Sequence, residues 1–240
     1  MQQGYKKLRE IPYVPPCPSM WKGLWKQTSI PKIDLFNWLL CHNRVLTADN
    51  LRRKGIHGPS RCPLCQASYE NVQHIMLDCG YAIEVWGEAL SEWNTNFTLP
   101  SSIFDLYANW EHHFPGQLPK NTWIKAGWLI LPKVVCWHIW LERNSKIFQE
   151  KAHKAIVVLI KIKTMLKEIL SENVGKLIDK NLSNHEKEWA ELLGLQIHNA
   201  ESHQGKNKDS QISMTKEHFR KKKKQGNGLL HIVLRWGSKR

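Results

Sequence analysis

Between residues 62 and 79 three cysteines and a histidine follow the spacing C-x2-C-x8-H-x4-C, through Cys62, Cys65, His74 and Cys79. Thiolates and an imidazole are the donors that borderline-soft zinc accepts in a tetrahedral shell. The two-residue gap in Cys62-Pro63-Leu64-Cys65 lets a tight turn aim both sulfurs at one ion. Asn71 is placed to cap a helix carrying His74 at its third position, and Gly80 to end that helix just after Cys79. One structural Zn2+ is therefore expected, with one ligand pair from the turn and the other from the helix. Four protein ligands leave no position open for catalysis, and the ion would join segments too short to bury a core unaided. The competing readings are buried thiols without metal, or His42, His57 or His138 displacing a chosen ligand. Cys17, Cys41 and Cys136 are left over. The N-terminus lacks the apolar run of a signal peptide, so an intracellular location is expected and six cysteines read as ligands and core thiols rather than a disulfide framework.

Around this motif the hydrophobic spacing is helical. Ile33, Phe36, Leu39 and Leu40 share one face after Pro31, widened by Trp38 and Cys41. Thr47 is expected to cap a short helix, with Leu46 and Leu51 as a hydrophobic staple, basic Arg52, Arg53 and Lys54 in its last turns, and Gly55 as its stop. Ala82, Val85, Trp86, Ala89, Leu90 and Trp93 mark an amphipathic helix, and a brief ordered stretch is expected from Ile103 to Trp110. The pattern resumes at Trp123 with a kink or break before Pro132 and runs to Phe148. A last helix places Ala155, Leu159, Ile162, Leu166 and Ile169 on one side. No uninterrupted apolar run reaches membrane-spanning length, because Pro132, Lys133 and His138 punctuate the most apolar segment, so no membrane partner is expected.

The expected fold class is thus mainly α: a small helical zinc-binding module, further helices and a disordered basic tail. The divisions are an irregular, proline-rich lead-in at 1–20, the zinc module at 21–95, a connection at 96–122, a helical linker region at 123–195 and the tail at 196–240. Charge follows this division. The chain carries a net +14, and residues 201–240 hold 11 basic against three acidic side chains, more than half of the excess. Arg220, Lys221, Lys222, Lys223 and Lys224 read as a footprint for RNA or DNA, as a nuclear address, or as a solubilising tail. Leu229 to Trp236 can form a strand if it finds a partner.

Near the zinc motif, Arg52, Arg53, Lys54 and Arg61, with Tyr69, are candidates for contact with phosphate and base, against a solvated face as the alternative. Most of the 12 tryptophans are expected in the core, among them Trp86, Trp93, Trp137 and Trp140. Glu70 reads as a partner of a metal ligand or, more simply, as a solvated carboxylate at a helix start. Asp34, Asp49, Asp78 and Asp105 are scattered and read as surface residues. Neither a phosphate-binding loop, nor a serine elbow, nor the histidine-glutamate element of a zinc deaminase is found, so no enzyme is expected.

The ordered set Trp25, Pro31, Lys32, Phe36, Trp38, Asn43, Arg44, Thr47, Leu51, Arg53, Gly55, Cys62, Cys65, Glu70, His74, Cys79 and Trp86 resembles the zinc-binding domain downstream of the polymerase in plant non-LTR (LINE-type) retrotransposon reverse transcriptases. Trp137, Trp140, Arg143, Asn144 and Phe148 look like the linker that follows it. The resemblance spans about residues 20–150. It implies a structural zinc, nucleic acid as a partner, and adjacent polymerase or ribonuclease H domains in a parent polyprotein. The polymerase aspartates, the endonuclease and a ribonuclease H carboxylate set are not found in the sequence, so a non-catalytic fragment of a retrotransposon-derived protein is expected. Two roles compete: a module that positions nucleic acid or a neighbouring domain, and a structural or protein-interaction remnant without nucleic-acid binding.

Overall fold

The computed structural model describes residues 30–91, 93, 95, 97–114 and 123–174, all within the first of two compact units, Met1–Ile197. The expectations for the lead-in, for the basic tail and for a strand at Leu229 to Trp236 lie outside the described residues.

The first helix, α1 (Pro31–Cys41), starts with proline at its first position, where a missing N–H costs nothing. Ile33, Phe36, Leu40 and Cys41 are buried, as their spacing predicts. It stops in a left-handed turn at Asn43 (φ 49°), where the Asn43 N–H reaches Leu40 O and the Arg44 N–H reaches Leu39 O. The short α2 (Ala48–Arg53) ends the same way at Gly55 (φ 79°), whose N–H donates to Arg52 O while Ile56 N–H donates to Leu51 O. Both are Schellman closures that satisfy orphan carbonyls, one with the usual glycine and one with asparagine.

Helix α3 (Gly80–Ser91) buries Ala82, Val85, Trp86, Ala89 and Leu90 against the long α5 (Trp123–Gln149) and α6 (Ala155–Val174). Between them, α4 (Ile103–Asn109), capped by Ser102 Oγ on the Asp105 N–H, runs into a 3-10 turn at Trp110–His113. α6 buries Ala155, Leu159, Ile162, Leu166 and Ile169, as predicted, and one core runs from α1 to α6. α5 is long and apolar enough to cross a membrane, but 72% of its most apolar window is buried in this core.

Two expectations are corrected here. The chain does not break before Pro132, because α5 continues through it. Proline removes the donor that Trp128 O would receive in a regular helix, and the Trp110 indole N–H takes that place at 2.7 Å. Trp128 Nε1 returns a bond to Trp110 O at 3.1 Å, and the two rings stack at 4.5 Å. Asp34 is not a surface residue either: it is buried 3.4 Å from Lys133 Nζ at the α1–α5 contact. Burial pulls Lys133 below the ordinary lysine range and Asp34 works against that shift. Beside this pair, the Asn37 side-chain amide donates to Ile33 O and Lys133 O and receives the Tyr107 hydroxyl. Burial pushes the thiols of Cys41 and Cys136 up to about 12, which makes them inert core residues.

Candidate metal centre

Cys62 and Cys65 sit in a small hairpin turn. Gln66, in left-handed backbone (φ 57°), closes it by donating its N–H to Cys62 O, and Cys62 N–H donates to Ser68 O. Glu70 N–H donates to Ser60 O, so Arg61 and Tyr69 face each other across an antiparallel bridge. This fixes the alternation of the strand pair: Cys62 and Glu70 point into the core and their neighbours Arg61 and Tyr69 point out.

His74 and Cys79 come from the next turn of chain. Asn71 Oδ1 accepts the His74 N–H at 2.7 Å, the cap expected from sequence. The segment His74–Asp78 is π-helical, however, closed by Cys79 N–H on His74 O at 2.7 Å. Residues five apart on an α-helix lie about 140° apart around the axis and cannot serve one ion. The wider i→i+5 turn brings them to the same side, which is the physical reason for the H-x4-C spacing. Gly80 does not end a helix, contrary to expectation. Cys79 is extended (ψ 130°), its carbonyl receives Ile83 N–H, and Gly80 is the first residue of α3.

The four side chains converge. Their ligand atoms all lie within 4.8 Å of one another, with Cys62 Sγ 3.8 Å from Cys79 Sγ and Cys65 Sγ 3.2 Å from His74 Nε2. A tetrahedral ion with Zn–S bonds of ~2.3 Å holds its sulfurs ~3.8 Å apart, so the residues fit zinc. One sulfur of the cluster is prepared for negative charge. Cys79 is held below the usual thiol range by the Cys62 hydrogen bond, with help from the N–H groups of Tyr81 and Ala82 at the start of α3. Cys62 is pushed up by that same shared proton and by burial, while the Leu64 and Cys65 N–H groups favour its thiolate. Zinc would replace that proton. His42, His57 and His138 do not join the cluster: His42 packs against Trp38 at 4.4 Å, His57 is exposed, and His138 is buried with Nδ1 2.9 Å from Val134 O.

Glu70 is neither a partner of a ligand nor a solvated carboxylate. It is 3% exposed and receives Arg143 of α5 through Nε at 2.7 Å and Nη2 at 3.1 Å. Its Oε2 also accepts the Ala48 N–H at 3.3 Å, thereby capping α2. Thr47 holds the N-cap position without capping, because its hydroxyl is turned to Asp49 Oδ1. Arg143 Nη2 bonds Leu46 O, and its guanidinium lies 4.7 Å from the centre of the Trp140 ring. One carboxylate thus ties the metal hairpin, the start of α2 and the long helix together. Periodicity in the sequence could not pair Glu70 with Arg143 across 73 residues; the only signal was that both stood in the family resemblance.

Of the basic candidates, Arg52, Arg53, Lys54 and Arg61 are exposed on α2, its end and the hairpin. Arg53 pairs with Asp49 at 3.5 Å, and Arg61 Nη1 donates to Gln66 O at 3.2 Å. Arg220, Lys221, Lys222, Lys223 and Lys224 lie outside the described residues.

A mainly helical domain with a closed Cys3His cluster is a structural, non-catalytic zinc-binding module, since four protein ligands fill the shell. Residues 1–86 match the family described as zinc-binding in reverse transcriptase, and this stretch is a zinc-binding domain of that reverse-transcriptase-associated type. The chain is also similar, at 23% identity over 141 residues, to an Arabidopsis thaliana protein provisionally named a ribonuclease H protein. The match covers 59% of this chain and 22% of that relative, so the chain spans about a fifth of its length. No solved structure matches the chain.

Proposed function

We propose that this zinc module belongs to a retrotransposon reverse transcriptase-like protein of plant LINE type, where it helps to position RNA or DNA, or an adjacent polymerase or ribonuclease H domain. The observation that supports this most is the closed Cys3His cluster, inside a segment matching the reverse-transcriptase zinc-binding family and with exposed Arg52, Lys54 and Arg61 close to it in sequence. The zinc supplies fold; the basic side chains supply affinity for phosphate. The name of the Arabidopsis thaliana relative is compatible with a nucleic-acid setting.

The test is titration of the zinc-loaded full chain with labelled RNA and DNA over a range of salt. Neutralising Arg52, Arg53, Lys54 and Arg61 is compared with deleting residues 218–224. Loss on the first set supports a defined surface on the module. Loss only on tail deletion, with a steep salt dependence, would sink it. A second reading, a protein-interaction remnant, is favoured by the exposed Ile156 and Ile160 at i,i+4 spacing on α6. It predicts metal-dependent folding and no nucleic-acid binding at all.

A further inference from the structure

The hairpin carries an outward face that the metal does not use. Arg61 and Tyr69 are directly opposed across the bridge, and the flanking bonds, Cys62 N–H to Ser68 O and Glu70 N–H to Ser60 O, identify them as a non-hydrogen-bonded pair. That register brings opposed side chains closest, with Cβ atoms ~4.5–5.5 Å apart. Tyr69 is 73% exposed, the most exposed large hydrophobic side chain among the described residues, and no ring contact or hydrogen bond holds it to another described residue. Arg61 is anchored through one nitrogen to Gln66 O, which leaves its other donors for a ligand.

This face is unusually well fixed for a surface. The residue on one side of the pair, Cys62, is a metal ligand, and the residue on the other, Glu70, is locked by Arg143 and Ala48. On a hairpin clamped at both strands, the backbone that carries the ring and the cation loses little freedom on binding. Arg52 and Lys54, at the end of α2, are exposed as well.

We propose that Tyr69 and Arg61 form a platform for one unpaired nucleobase of a single-stranded nucleic acid, the ring stacking on the base and the guanidinium meeting the adjoining phosphate. The proposal rests on the nucleic-acid reading above and deepens it. Single strands are selected because a base inside a duplex already has both faces covered, and only an unstacked base offers one to a side chain. Ribose and deoxyribose strands share this chemistry, so both are assayed.

The experiment is fluorescence anisotropy of the zinc-loaded full chain with labelled oligouridylate, oligothymidylate and a blunt duplex. It is repeated on a chain in which Lys221, Lys222, Lys223 and Lys224 are replaced by alanine to remove the tail's contribution. Tyr69→Ala is expected to weaken both single strands about tenfold, the scale of one base on one aromatic ring, and to leave duplex binding unchanged. Tyr69→Phe keeps the stack and should bind like the parent. Arg61→Ala should lower the salt slope by about one contact. Zinc content and helicity are measured on each variant and are expected to be unaltered, because both side chains point to solvent. Equal loss on single strand and duplex, or no loss for Tyr69→Ala while Arg52→Ala and Lys54→Ala weaken binding, overturns the platform and leaves the broader reading standing. No binding by the parent chain to any probe overturns both.

Discussion

Replacing Glu70 by alanine leaves the Arg143 guanidinium buried at 5% exposure, with Leu46 O and Asn144 Oδ1 as its remaining oxygen partners. Removing one member of a buried ion pair costs ~3–5 kcal/mol, because the survivor stays charged in a poor solvent. The lost acceptor for the Ala48 N–H adds ~1 kcal/mol. Against a typical domain stability of ~5–15 kcal/mol this is a large fraction. Arg143→Met leaves the carboxylate instead, and here the physics differs. A stranded carboxylate can take up a proton, whereas a guanidinium cannot lose one. Protonating an ordinary glutamate at pH 7 costs ~4 kcal/mol, which caps the penalty, and the cap falls as pH is lowered towards the usual glutamate range. The damage in Arg143→Met should therefore shrink with acid, and that in Glu70→Ala should not. The paired change Glu70→Leu with Arg143→Met removes both charges and should cost at least ~2 kcal/mol less than the sum of the single changes. Urea unfolding in excess zinc, followed by helicity between pH 5 and pH 7.5, measures all of this. Additive single costs, or a Glu70→Ala penalty below ~1 kcal/mol, would refute the claim that this pair joins hairpin to helix.

Three further outcomes follow from the same contacts. Chelation, or Cys62→Ser, should remove one zinc per chain and with it the order of the hairpin and α2, read as lost helicity, since metal binding in such small modules supplies folding energy of ~10–16 kcal/mol. Trp110→Phe strands the Trp128 carbonyl opposite Pro132 and should cost ~1–3 kcal/mol, whereas adding Pro132→Ala restores a backbone donor and should recover part of it; no recovery in thermal unfolding would break the indole-for-backbone account. Burial lowers His138 from its ordinary 6.5, so its neutral form contributes stability that is present above pH 6.5 and lost as pH falls through the lower folded value. His138→Gln should flatten the stability profile of the zinc-saturated chain below pH 6.5, and an unchanged slope would refute that assignment.

What sequence made legible was local. The donor set of Cys62, Cys65, His74 and Cys79 is readable because the chemistry of zinc restricts both residue type and gap. Helix faces such as Ala82 to Leu90 are readable because burial repeats with the helical period. The Asn71 cap was legible for the same reason, since its partner lies three residues away. The helix end expected at Gly80 and the break expected at Pro132 do not occur, because in each case another residue decides the backbone. Cys79 makes the helix boundary by turning extended, and a distant indole replaces the N–H that Pro132 lacks.

The buried charges were illegible for a deeper reason. Glu70, Arg143, Asp34 and Lys133 look like surface residues in sequence, because burial of a charge depends on a partner that no local pattern announces. Zinc and the Glu70 carboxylate divide the work of fixing one hairpin between them. The metal holds the Cys62 strand and the π turn behind it, while Glu70 holds the other strand and reaches α2 and α5. Because Cys62 N–H bonds Ser68 O and Glu70 N–H bonds Ser60 O, a restraint on one strand acts on the other, so loss of zinc should loosen Arg143, and loss of Glu70 should weaken zinc affinity, by the same coupling free energy. Zinc affinity measured by chelator competition on Glu70→Gln and on Arg143→Met tests this reciprocity. Unaltered affinity in both variants would mean that the hairpin and the helices fold as independent parts.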